Sequence, residues 1–155
     1  MDALITALSE AGRISGIALS SPLYAAVSAL HILGMALLVG SIVLVDLRLA
    51  GVLRRLDLDA MAQMRRVARL GAVLAVTTGI LLASARPAEY LANRVFLAKM
   101  AVVALALANA LAFEAMARAR PLAALVDTPY GRAAGLLSLA CWPVVIALGR
   151  WIAFV

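Results

Sequence analysis

Four long apolar runs, separated by short arginine-rich stretches, set the pattern of this chain. Residues 14–45 contain no Asp, Glu, Lys or Arg, which exceeds the roughly 20 mostly apolar residues that cross a bilayer as a helix. The first span is expected at about residues 22–45. Ser20-Ser21-Pro22 opens it with capping side chains and a proline tolerated in a first helical turn. The second falls at about residues 69–85. Its charge-free stretch is short, so Arg69 and Arg86 are expected to reach for opposite interfaces with their long stems. A third span, about residues 93–113, carries Lys99 within it. The fourth, about residues 132–155, contains Pro143, where loss of one backbone hydrogen bond predicts a kink.

The remaining segments are shorter. Residues 3–19 place Leu4, Ile5, Leu8, Ile14, Ile17 and Leu19 around Glu10 and Arg13, a pattern of a short helix lying along a membrane interface. Residues 53–64, with Asp57 and Asp59, are expected to cap an extension of the second helix. Residues 119–130, with Pro121 and Pro129, read as a turn-rich loop. The fold class is therefore all-α: an integral membrane four-helix up-and-down bundle with a short N-terminal interfacial helix, one transmembrane domain over residues 1–155.

Composition agrees with that class. The 155 residues are 66% hydrophobic and 14% charged, and the mean hydropathy is +1.05, values that exclude an ordinary soluble domain. A formal net charge of +6 invites a nucleic-acid reading. The basic residues lie instead in loops between apolar runs, where they orient a membrane protein, so no nucleic-acid partner is expected. The partner is the lipid bilayer. Arg48, Arg54, Arg55, Arg65, Arg66 and Arg69 join spans one and two, and Arg118, Arg120 and Arg132 join three and four. Arg13, Arg86, Arg94 and Arg150 occupy the opposite side. Positive residues stay in the cytoplasm, which puts both termini outside it, in the periplasm of a bacterial inner membrane. The opening Met1-Asp2-Ala3 lacks the basic stretch of a secretory leader, so the first span is expected to be retained. Cys141, the single cysteine, excludes an intrachain disulfide and a cysteine-only metal site.

Candidate chemistry starts from His31, the single histidine, because an ionisable ring in hydrocarbon is costly and marks a site. Tyr24, Ser28, His31 and Met35 follow at spacings of four, three and four, one stripe of a helix. His31 lies roughly 13 Å into its span and Lys99 roughly 9 Å into its own at 1.5 Å per residue, so the two reach similar depth. Plainer readings stand beside these. Lys99 can snorkel to the headgroups; His31 can be a neutral ring bonded to a neighbouring helix. Asp46 and Glu114 are expected to pair with Arg48, Arg66, Arg69 or Arg132, and Asn109 to bond between helices. Small residues at four-residue spacing, Gly71, Ala75 and Gly79, then Ala104, Ala108 and Ala112, then Gly131 and Gly135, predict close helix contacts and are compatible with a homo-oligomer.

The run Ser28-Ala29-Leu30-His31-Ile32-Leu33-Gly34-Met35, then Val45-Asp46-Leu47-Arg48, resembles a family of small, largely uncharacterised four-helix bacterial membrane proteins. Tyr90-Leu91-Ala92-Asn93-Arg94-Val95-Phe96-Leu97-Ala98-Lys99 and the ending Ala147-Leu148-Gly149-Arg150-Trp151 resemble it too. More distantly, a histidine in an early helix and Phe96-x-x-Lys99 in a later one are similar to the copper-resistance D membrane domain and the J-type protoporphyrinogen IX oxidase. The likeness to the oxidase implies that His31 and Lys99 bind haem b. Neutral imidazole is a common axial ligand, and Arg86, Arg94 and Arg150 suit propionates. This chain departs from the pattern in having no second histidine. Ligation then takes His31 with Lys99, His31 with Met35 or Met100, or one His31 from each of two protomers. Copper handling is the alternative, with His31 and Met35 joined by Met100 or Cys141 as soft ligands. A non-catalytic membrane scaffold or subunit is the other, and no residue set assigns a catalytic step.

Overall fold

Each long helix starts where a side chain caps it. The computed structural model describes residues 2–154; Met1, and Val155 at the end of the fourth predicted span, lie outside the described residues. After α1 (Asp2–Ile14), α2 (Ser21–Leu49) begins with Ser20 Oγ accepting from the Leu23 amide and Pro22 in its first turn. Asp57 accepts from the Ala60 amide at 2.8 Å to open α3 (Leu58–Ala85). Asn93 accepts from the amides of Val95 and Phe96 to open α5 (Arg94–Ala119). Thr128 accepts from the Gly131 amide to open α6 (Pro129–Trp151). Such caps satisfy amides that have no partner within the helix.

Three of the long helices outrun the apolar spans read from the sequence, whereas α6 starts three residues earlier than its span and ends at Trp151, short of the expected 155. Apolarity stops at the first charge, whereas a helix continues to its cap. The expected extension of the second helix is present, with Asp57 as its N-cap. α3 ends because Pro87 disfavours helical backbone at Arg86, where φ is −145° and ψ is 62°. A short helix not anticipated from the sequence, α4 (Pro87–Ala92), follows immediately. The N-terminal helix stops at Ile14, short of the expected residue 19, as the chain passes Gly16 with φ +75°. α6 runs through Pro143 as one helix. Among the described residues the structure is all-helical, and four of its helices are long and apolar enough to cross a membrane.

α2 packs against both α3 and α6, α5 packs against α6, and α1 lies against α3 and α4. Contacts between neighbours show them to be antiparallel: Gly34 meets Gly71 and Ala75, Gly135 meets Asp46 and Leu49, and Asn109 donates to the Ala134 carbonyl at 3.0 Å. That last bond is the interhelical one expected of Asn109. Small-residue spacing has two outcomes. Gly71 and Ala75 bring α3 onto α2, whereas Ala104, Ala108 and Ala112 face outward. Large apolar side chains such as Ile32, Leu70, Val73 and Leu111 are also on the surface, as lipid-facing positions of a membrane helix are.

Away from the termini, Glu114 of α5 accepts from Arg65 and Arg69 of α3, both at 2.9 Å. The pairing with Arg69 was expected; the one with Arg65 was not. Asp46 corrects the sequence reading. It pairs with none of the expected arginines, because it faces α6 at Gly135 and takes Ser138 as its hydrogen-bond partner, while Arg48 turns to Asp127 at 3.2 Å. Asp46 is 3% exposed and its Oδ2 has no partner. An unpaired carboxylate oxygen in apolar surroundings costs more than an amide of the same shape. Asp46→Asn is therefore expected to stabilise the protein by about 1 kcal/mol, read as a higher thermal midpoint in detergent.

Candidate functional site

Glycine decides how closely α2 and α3 approach. A Cβ on Gly34 would lie 2.7 Å from the Ala75 amide nitrogen, and one on Gly71 would lie 2.4 Å from the Leu38 amide nitrogen. This backbone contact carries His31 onto α3. Its Nδ1 lies 2.9 Å from the Ala75 carbonyl oxygen and 3.1 Å from Thr78 Oγ1. A carbonyl only accepts, and the Thr78 hydroxyl already donates to Leu74 O at 2.6 Å. Nδ1 must therefore carry the proton. Nε2 keeps the lone pair and has no protein partner among the described residues. Gly79 makes room for the ring, since a Cβ there would lie 3.1 Å from His31 Cε1.

The ring forms part of the wall of a cavity of about 490 Å³, within the range of small-molecule sites. The cavity lies at the end where α2 and α5 begin and α3 and α6 finish. Met35, Ala75 and Gly79 line it beside His31; Phe96, Lys99 and Met100 come from α5, and Trp142 and Gly149 from α6. The two short helices cover it, Leu8 from α1 and Pro87, Tyr90 and Leu91 from α4. α1 is held there by Gly12, where a Cβ would lie 2.1 Å from the Ser84 carbonyl oxygen. α4 is tied to the start of α2 by the Tyr24 and Tyr90 hydroxyls, 3.3 Å apart. Burial first, and then that bond, push the Tyr90 phenol up to about 12, so it remains a neutral hydrogen-bonding group.

Lys99 lies along Gly149, with Nζ 3.5 Å from the position a Cβ would take there. Gly149 is two residues from the end of α6, which places the amine toward the cavity's outer end. Lys99 is half-buried and has neither an ion pair nor a hydrogen bond among the described residues.

Of the residues singled out from sequence, His31, Met35, Lys99 and Met100 meet at this cavity. Arg94 is exposed and outside the wall. Arg150 is exposed too, its guanidinium 5.1 Å from the Phe154 ring centre, and Arg86 pairs with Glu89 at 3.5 Å. Cys141 is buried in the core among Leu38, Trp142 and Val145, which line the cavity, and is not itself part of the wall. Among the described residues no three His, Cys, Asp or Glu side chains cluster as a metal site. Sequence reasoning missed Ala75 and Thr78 as the partners of His31, and Trp142 and Tyr90 in the wall. The Gly71, Ala75 and Gly79 spacing was the available signal for the first of these.

The chain belongs to a family of unknown function, DUF6644, which matches residues 12–155. No curated protein and no solved structure matches it.

Proposed function

We propose that this family member is a multi-pass membrane protein, its four long helices forming an up-and-down bundle, that binds haem b or a related porphyrin in the cavity in a redox role. The arginine distribution supports a bacterial inner membrane with both termini periplasmic, and α1 then lies along the outer interface. One observation carries the ligand reading: His31 lines the cavity, its Nδ1–H is held by the Ala75 carbonyl, and its Nε2 has no partner among the described residues. Metal-binding histidines are oriented by such a bond on the other nitrogen. The distant similarity to the oxidase group points the same way.

In this reading His31 Nε2 would hold the iron, with the Met35 and Met100 thioethers on the same wall, and Trp142, Phe96 and Leu38 would supply apolar surface that excludes water. Bound haem supplies one-electron chemistry; the chain contributes position, desolvation and a fixed imidazole tautomer.

Detergent-purified protein supplemented with haem is expected to show a Soret band, and His31→Ala to lose it while eluting as the wild type does on size exclusion. Wild-type protein that stays colourless after supplementation overturns the proposal and favours a scaffold role. A second reading rests on His31, Met35 and Met100 sharing one wall, a soft ligand set for Cu(I). It requires near-stoichiometric copper in purified protein that Met35→Leu removes.

A further inference from the structure

Lys99 is the one cationic side chain in the cavity wall, and among the described residues nothing neutralises it. Arg94 at the start of α5 and Arg150 at the end of α6 have no ion pair among the described residues, and Glu89 is paired with Arg86. An ammonium half-removed from water gains most from an anion that comes with the ligand. The amine lies along Gly149, where a Cβ would be in ordinary contact with Nζ and Cε at 3.5 and 3.6 Å.

The cavity also opens sideways. Val76 and Ile80 of α3 and Met100 of α5 line it and are at the same time exposed on the surface, at 43%, 55% and 37%. α3 packs on α2 and α1, and α5 on α6; the ion pairs that join α3 to α5 are at Glu114, toward the far end. A slot flanked by exposed apolar side chains admits a molecule from the lipid. Below Lys99 the wall is apolar, with Leu38, Val103, Leu107, Trp142 and Val145.

We infer that the cavity takes a carboxylate-bearing amphiphile from the membrane, with its acid group paired to Lys99 at the outer end and its apolar body lying inward beside Trp142. The inference rests on the proposed ligand cavity and deepens it: Lys99 is a partner for an acid group and does not ligate a metal. An ammonium offers donors to a carboxylate and no lone pair to a metal.

The test uses Trp142, 3% exposed, as reporter in a Trp151→Phe background, which leaves one tryptophan of the chain's two. Protein in phosphatidylcholine nanodiscs is titrated with dibrominated stearic acid or its methyl ester at about pH 8.5, where free carboxyl groups are ionised. The acid is expected to quench Trp142 saturably at about tenfold lower concentration than the ester, one ion pair's worth of affinity. Excess unbrominated stearate should reverse it. Lys99→Met is expected to bring acid and ester within about twofold of each other, and Lys99→Arg to retain the preference. Equal or non-saturating quenching by acid and ester in the wild type, or a preference that survives Lys99→Met, overturns the inference. A missing Soret band with the acid preference intact defeats the haem reading alone; a Soret band without the preference defeats this inference alone.

Discussion

Gly71→Ala is expected to separate α2 from α3, lower the unfolding midpoint and release His31 from its seat. The new Cβ would lie 2.4 Å from the Leu38 amide nitrogen, 2.8 Å from the Gly34 carbonyl oxygen and 2.9 Å from Leu38 Cα. All three are backbone atoms of a helix, so no side-chain rotation relieves the contact and one helix must move. Overpacking of this kind costs about 3 kcal/mol. The movement also draws Nδ1 of His31 away from the Ala75 carbonyl, one turn along the same helix. Unfolding in detergent followed by circular dichroism reads the first effect. On the proposed haem reading, haem affinity at a temperature where the variant is still folded reads the second. A variant with an unchanged midpoint would mean that the helices are not in backbone contact at Gly71. Gly40 is the control, because a Cβ there meets nothing within 4 Å, and Gly40→Ala should be neutral or slightly stabilising through its better helix propensity.

Glu114→Ala is the second large effect. The side chains of Arg65 and Glu114 are only 12% and 17% exposed, and the Arg65 guanidinium also lies over the Phe113 ring at 5.5 Å from its centre. Removing the carboxylate leaves that guanidinium in a mostly buried position without a counter-charge, a loss of about 3 kcal/mol. Arg69 has a weaker claim, being 51% exposed, so Arg69→Ala alone should cost less than about 1 kcal/mol. Adding Arg65→Met to Glu114→Ala is expected to recover more than half of the loss, since the stranded charge goes with it. No recovery would show that Glu114 matters by packing and not by charge. The pair also bears on the cavity, because these bonds tie α3 to α5 away from it, and their loss should widen the slot.

Individual residues show how far local information reached. Ser20 with Pro22, and Asp57, were legible as helix starts because a cap needs only its own neighbours in sequence. Arg86 and α4 were not, although Pro87 carried part of the signal: a six-residue helix has no apolar periodicity to read. The alanine stripe at 104, 108 and 112 has the same spacing as Gly71, Ala75 and Gly79, yet the first faces out and the second makes the contact that seats His31. Spacing specifies a face of a helix and leaves open what that face meets. Asp46 fails for a related reason. Arginines are near it in sequence, but its side chain bonds to Ser138 on a helix some ninety residues away.

From its sequence alone, the chain determines that it is helical, that helices start after Ser20 and Asp57 and that four of them are apolar enough for a bilayer, because hydropathy and capping act over a few residues. It also marks His31 and Lys99 as the polar groups hardest to place in such helices. That the two line one cavity, that Arg94, Arg150 and Cys141 do not, and that His31 Nδ1 is bonded to the Ala75 carbonyl was decided only by tertiary structure. The reason is rotational: which side of each helix faces its neighbour depends on backbone contacts at Gly34, Gly71 and Gly135, and those are made between segments distant in the chain.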